Sequence, residues 1–185
     1  MEAEQIEERY GNSLITYTGI NFWPFDARVE EITIEDIAQS LSMQCRFNGH
    51  IKNFYSVAEH SVRVSNACSA ENALWGLLHD ASEAYLGDVP TPIKRLLPDY
   101  VKYEDALQKV IAKKFNLTEI EPAEVKQMDR VLLSTEMRDL RNNNRYQLAN
   151  EFKPLTEKIT PWPQHIAKNA FLNLFFSLTQ PSCIR

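Results

Sequence analysis

Four ionisable side chains, His79, Asp80, Glu83 and Asp88, fall within ten positions of the segment LLHDASEAYLGDVPTPIK, residues 77–94. Leu77, Leu78, Ala81 and Tyr85, interleaved with them, have the spacing of a buried helical face. Glu83 follows His79 by four residues and Asp80 by three, so on a helix all three stand about one turn apart on one side. Residues of the same kind interrupt apolar stripes elsewhere. His60 falls between Val57 and Ser61; Asp129 falls between Met128 and Leu132, too far past Pro122 to serve as a cap. A buried charge without a partner costs several kcal/mol even after relaxation, so these groups need compensation. One divalent cation held by His60, His79, Asp80 and Asp129 would compensate all of them together. Separate local solutions are the alternative: a hydrogen-bonded core histidine at 60, and an ion pair of Asp129 with Arg130 or Arg138. Spacing alone leaves both open.

The elements that must carry these residues are mostly helical. Leu14 to Phe25 (LITYTGINFWPF) is aromatic and β-branched with Thr18-Gly19 as a turn, which predicts a short N-terminal β-hairpin after a loose tail over residues 1–10. Thr33 is placed to cap a helix bearing Ile34, Ile37, Ala38 and Leu41, which ends before the loop QCRFNGHIKNFY. Ser56 and Glu59 have capping-box form ahead of a helix marked by Val57, Ser61, Val64 and Cys68. A third helix is predicted from about Ala70 to Leu86, stopped by Gly87, with Pro90 and Pro92 preventing resumption. A fourth carries Tyr100, Tyr103, Leu107, Val110, Ile111 and Phe115. Pro122 opens a fifth with Val125, Met128, Leu132, Leu133 and Leu140 inward; Pro163 opens a last with Ile166, Ala170, Phe171, Leu174 and Leu178 inward. The expected fold is all-α: a helical bundle, with the hairpin as its only strands.

Composition removes several classes of function. The 185 residues suffice for one domain spanning 1–185, and no repeat or low-complexity tract divides it. A net charge of −5 gives no general attraction to nucleic acid, so a nucleic-acid partner is not expected. No apolar run reaches the ~20 residues of a membrane helix, and the acidic, polar MEAEQIEERY is no signal peptide. Cys45, Cys68 and Cys183 are odd in number and unpaired in spacing, which fits a reducing compartment. A soluble, cytoplasmic protein without a membrane partner is expected.

The order His60, then His79-Asp80, then Asp129, on three helices of an α bundle, resembles the HD superfamily of metal-dependent phosphohydrolases. Three blocks carry the likeness over about residues 33 to 140: AEHSVRV (58–64), HDASEAYLGDVPTPIK (79–94) and VKQMDRVL (125–132). The second is the most specific, and is similar to the segment after the His-Asp pair in bacterial HD-type 5'-deoxynucleotidases; phage dATP triphosphohydrolases share these blocks. The resemblance implies an HD-domain bundle whose metal ligands are His60, His79, Asp80 and Asp129. Two imidazoles and two carboxylates suit Mn²⁺, Co²⁺, Zn²⁺, Ni²⁺, Fe²⁺ or Mg²⁺ rather than a soft metal. Glu83, one turn beyond the ligands, is placed to orient or deprotonate water. Arg46 and Lys94 match phosphate-binding residues of the group, and Asp88 matches an acid that contacts water or sugar. Phe47 stands where the group usually has a tryptophan packed by the sugar, which bears on selection for deoxyribose. Trp75, one turn before His79, can approach a base or lie in the core.

The implied activity is metal-dependent phosphohydrolysis of a small-molecule nucleotide, foremost as a 5'-deoxynucleotidase that cleaves deoxynucleoside 5'-monophosphates. A deoxynucleoside triphosphate triphosphohydrolase is the alternative, and an inactive HD domain that binds nucleotide as a regulator is a further one. A homo-oligomer is expected.

Overall fold

The computed structural model describes residues 9–141 and 152–180, so most of the tail expected over residues 1–10, and Cys183, lie outside it. The chain is mostly helical, with a short N-terminal hairpin. Strands β1 (Leu14–Ile15) and β2 (Asn21–Phe22) pair antiparallel with Leu14 opposite Phe22. Gly19, at φ 88°, turns the chain between them, a left-handed geometry that glycine adopts without steric cost. The hairpin is fastened to the bundle at both ends. Thr18 donates its N–H and hydroxyl to Asp36 (2.7 and 2.8 Å), and buried Phe22 stacks on Tyr85 with ring centroids 4.0 Å apart.

Eight helices follow among the described residues: α1 (Ile34–Met43), α2 (Val57–Ala67), α3 (Ala73–Leu78), α4 (Glu83–Leu86), α5 (Thr91–Lys94), α6 (Pro98–Lys114), α7 (Ala123–Leu140) and α8 (Gln164–Thr179). Local chemistry explains their starts. Thr33 accepts from the Asp36 N–H at 3.1 Å, and Ser56 accepts from the Glu59 N–H at 3.1 Å. Only that half of the expected capping box is used, because the Glu59 carboxylate binds Arg63 (2.8 and 3.0 Å) and the Trp162 N–H (2.7 Å). Pro122 and Pro163 take the cap positions of α7 and α8.

Three departures from these expectations stand out. The predicted third helix is two helices, with residues 79–82 between them in turns whose bonds run to the third residue back. The Ala81 N–H reaches Leu78 O and the Glu83 N–H reaches Asp80 O, both at 3.0 Å. An apolar stripe scarcely distinguishes this tighter winding from an α-helix, so the break was hidden from periodicity. Residues 91–94, expected to be kept irregular by prolines, wind into the single turn α5, whose first turn tolerates Pro92. Ile166, expected inward on α8, is 43% exposed, since the buried line is Ala167, Phe171 and Phe175.

Helix α2 packs against α1, α3, α7 and α8, so the middle of its length is shut off from water. The largest core cluster gathers Phe22, Ile37, Leu41, Val57, Leu77, Leu107, Ile111 and Phe171 from the hairpin, α1–α3, α6 and α8. Helices α2 and α3 approach closely at Gly76: a Cβ there would lie 3.0 Å from both the Ser65 Cα and the Cys68 Sγ.

Candidate metal centre

Burial on α2 leaves His60 no access to solvent, and its two ring nitrogens are committed in opposite directions. Nδ1 lies 2.6 Å from Glu136 Oε1 on α7. Nε2 faces a cluster: Asp129 Oδ1 at 3.1 Å, His79 Nε2 at 3.3 Å and Asp80 Oδ2 at 3.7 Å. His79, at the end of α3, is oriented in a similar way. Its Nδ1 donates to Gly76 O at 2.8 Å, which leaves Nε2 turned towards His60 and 3.2 Å from Asp80 Oδ2. One donor atom each from His60, His79 and Asp129 lies within 4.8 Å of the others, close enough to hold one metal ion. Asp80, at its distances from both histidines, borders the same space. The donor set fits a divalent cation, since imidazole and carboxylate ligands with second nitrogens already bound are what such ions take.

The electrostatics point the same way. Five carboxylates, Asp80, Glu83, Asp88, Asp129 and Glu136, interact here with two cations, Arg46 and Lys94. Burial opposes protonation of His79, but the charges of Asp80 and Asp129 outweigh it and push the ring up to about 9. Burial and Arg46 act downward on His60 too, yet Glu136 and Asp129 bring it above its ordinary value. Burial works against ionised Asp80, and the neighbouring histidines and Arg46 overcome it, holding the carboxyl far below its usual range. Excess negative charge that draws protons onto two imidazoles will also draw a metal.

The other expected residues surround this cluster. Arg46 is buried in a 3₁₀ turn between α1 and α2, with Nη2 3.2 Å from Glu136 Oε2 and Nη1 3.5 Å from Asp80 Oδ2. Glu83 starts α4. Burial, then the charges of Asp80 and Asp88, hold its carboxyl well above the usual value, and its buried Oε2 has no hydrogen-bond partner. Lys94 Nζ stands between Glu104 Oε1 (2.7 Å) and Glu83 Oε1 (3.7 Å). Asp88, on the stretch after Gly87, is raised by burial while Arg46 opposes the shift. Phe47 lies beside two guanidinium groups, those of Arg46 and Arg141, each 5.3 Å from its ring centroid. Trp75 is placed elsewhere: 5% exposed, it packs with Val64, Ala112, Val125 and Leu132, and its indole N–H donates to Thr118 Oγ1 at 2.9 Å. Neither Arg130 nor Arg138 pairs with Asp129; Arg138 binds Asp139 at 2.7 Å, and Arg130 lies over the Phe152 ring.

Two residues were missed by sequence reading. Glu136 stands two turns after Asp129 on the same face of α7, in line with Leu132 and Leu140, so a carboxylate within an apolar stripe was there to be noticed. Gln44 ties the α4 region to α1: its amide donates to Glu83 O (2.9 Å) and Ser40 Oγ (3.1 Å) and accepts from the Asp88 N–H (3.0 Å). No sequence pattern marks such a strap.

These elements define an α-helical protein whose facing helices bring two imidazoles and a carboxylate within reach of one ion. No family model matches the chain. It is 46% identical over 125 residues to Uncharacterized protein YfdR of Escherichia coli (strain K12), a match covering 68% of this chain and 70% of that protein, and it belongs to the same family. Two more distant relatives bear the name 5'-deoxynucleotidase, from Photorhabdus temperata (31% identical) and Photorhabdus laumondii subsp. laumondii (29% identical). Each match covers 62% of this chain and 53% of the relative, so the chain spans about half the length of these proteins.

Proposed function

We propose that the protein is a metal-dependent nucleotide phosphohydrolase, acting as a 5'-deoxynucleotidase on deoxynucleoside 5'-monophosphates. The convergence of His60, His79 and Asp129, with Asp80 beside them, carries this reading. The two distant relatives named 5'-deoxynucleotidase support it. His60, His79, Asp80 and Asp129 would hold the ion. Bound there, it supplies Lewis acidity at the phosphate and a lowered pKa for water. Glu83 takes a proton from the attacking water as the new P–O bond forms and returns it to the 5'-oxygen as the P–O5' bond breaks. A buried carboxyl with a raised pKa is a stronger base than an exposed one, and Oε2 is the atom left free for this exchange. Arg46 and Lys94 neutralise the phosphate oxygens, where charge builds during displacement. Asp88 contacts the sugar or the water, and Phe47 forms a wall against the 2'-position.

A panel of dAMP, AMP, dATP and ATP with Mn²⁺, Co²⁺, Zn²⁺, Ni²⁺, Fe²⁺ or Mg²⁺ tests the proposal. The expected result is inorganic phosphate from dAMP, faster than from AMP. Triphosphate released from dATP, with dAMP untouched, would replace the monophosphatase reading by a triphosphohydrolase. Nucleotide binding without turnover under every metal would make the chain a binding module.

A further inference from the structure

We infer that Glu136 is a positioning residue that joins the metal half of the site to its phosphate half, an inference that rests on the function proposed above. Glu136 is fully buried, and each of its oxygens has a different partner. Oε1 lies 2.6 Å from His60 Nδ1, and Oε2 lies 3.2 Å from Arg46 Nη2. An ionised carboxylate can only accept, so His60 Nδ1 must carry a proton, and Nε2 is the ring atom turned towards Asp129 and His79 for a metal to take. The same carboxylate holds one end of the Arg46 guanidinium, whose other amino group is 3.5 Å from Asp80 Oδ2. His79 obtains its orientation from a backbone carbonyl, Gly76 O. Glu136 therefore does for His60 what Gly76 O does for His79, and in addition sets where Arg46 stands relative to the ligands.

A glutamine at this position has the same shape but one acceptor in place of two. Oriented with its oxygen towards His60, it presents N–H groups to a guanidinium that has only donors. Oriented the other way, it presents N–H groups to Nδ1, which must then accept and leave Nε2 protonated. Glu136→Gln can satisfy one half of the site and not both.

The experiment uses the full chain and measures Mn²⁺ affinity by chelator competition, inorganic phosphate affinity of the loaded protein, and folding by circular dichroism. Glu136→Gln should stay folded and lose either ~10–100-fold in Mn²⁺ affinity, the usual effect of removing a ligand's orienting partner, or roughly tenfold in phosphate affinity, the worth of one charged hydrogen bond. Glu136→Ala should lose both. A folded Glu136→Gln protein with both affinities unchanged would overturn the inference and leave the proposed function standing. Wild-type protein that takes up no Mn²⁺ would overturn both. Should the variants fail to fold, the zinc-loaded wild type decides by nitrogen NMR: a protonated, hydrogen-bonded His60 Nδ1 supports the inference, and a bare Nδ1 sinks it.

Discussion

Glu83 shows how much a single side chain depends on what surrounds it. On a helix surface it would be an ordinary anion. At 5% exposure, with Asp80 and Asp88 acting on it, it keeps its proton well above the usual range and holds Oε2 without a partner. Removing its capacity to exchange a proton while keeping its shape separates binding from chemistry. Glu83→Gln should bind Mn²⁺ and nucleotide as the wild type does and lose about 10²–10⁴ in kcat, the range for a positioned proton-transfer group; single-turnover and binding measurements check this, and a near-normal kcat would return Glu83 to a structural role. His60, His79 and Asp129 were legible because each is a polar residue set inside an apolar stripe, and burial makes such residues conspicuous. Glu136 obeyed the same rule and was passed over, since its necessity appears only once His60 Nδ1 is seen to need an acceptor. Gln44 was beyond reach, because it works on the backbone of residues 83 and 88 and backbone positions have no signature in sequence.

Between helices, the distance from His60 to His79 is set by how closely α2 and α3 approach, and Gly76 sets that. A Cβ on residue 76 would meet the Ser65 Cα and the Cys68 Sγ at 3.0 Å, tighter than nine in ten real contacts, with helix backbone on one side. Gly76→Ala should force the two helices apart, with a loss on the order of 1–3 kcal/mol in stability, as overpacking usually gives. Metal affinity should fall as well, because the Gly76 carbonyl that orients His79 moves with the backbone. Denaturant unfolding and chelator competition on one sample measure both; unchanged affinity in a destabilised protein would show that the site tolerates the shift. The positions of α1, α2, α6, α7 and α8 were readable from stripes, caps and prolines. The break at residues 79–82 was not, since it changes hydrogen-bond partners by one residue while keeping side-chain faces nearly in place.

At the scale of the molecule, the all-α character was plain from the sequence, whereas the tie lines between distant segments were not. One of them makes a contribution to stability that depends on pH. Glu124, in the first turn of α7, accepts from the Ser69 N–H (3.0 Å), the Ser69 hydroxyl (2.6 Å) and the Asn72 amide, and so pins the approach to α3. The Ser69 and Asn72 bonds hold its carboxyl below the usual value. The folded state thus binds that proton more weakly than the unfolded chain. Its contribution is complete above the usual glutamate range and is lost as pH falls through the depressed folded value. Glu124→Ala should melt below wild type at pH 7, and the gap should close on acidification; a gap independent of pH would mean that the tie is not ionic. The other long tie is α8, which packs on α1 and α2 and lays Phe171 and Phe175 into the core. On the ribosome, roughly a hundred residues separate the end of α2 from the start of α8, so at ~5–20 residues per second the apolar flank of α1 and α2 stays uncovered for about 5–20 s. Over that interval the nascent chain presents the surface that holdase chaperones recognise, and its yield in a cell will depend on their supply.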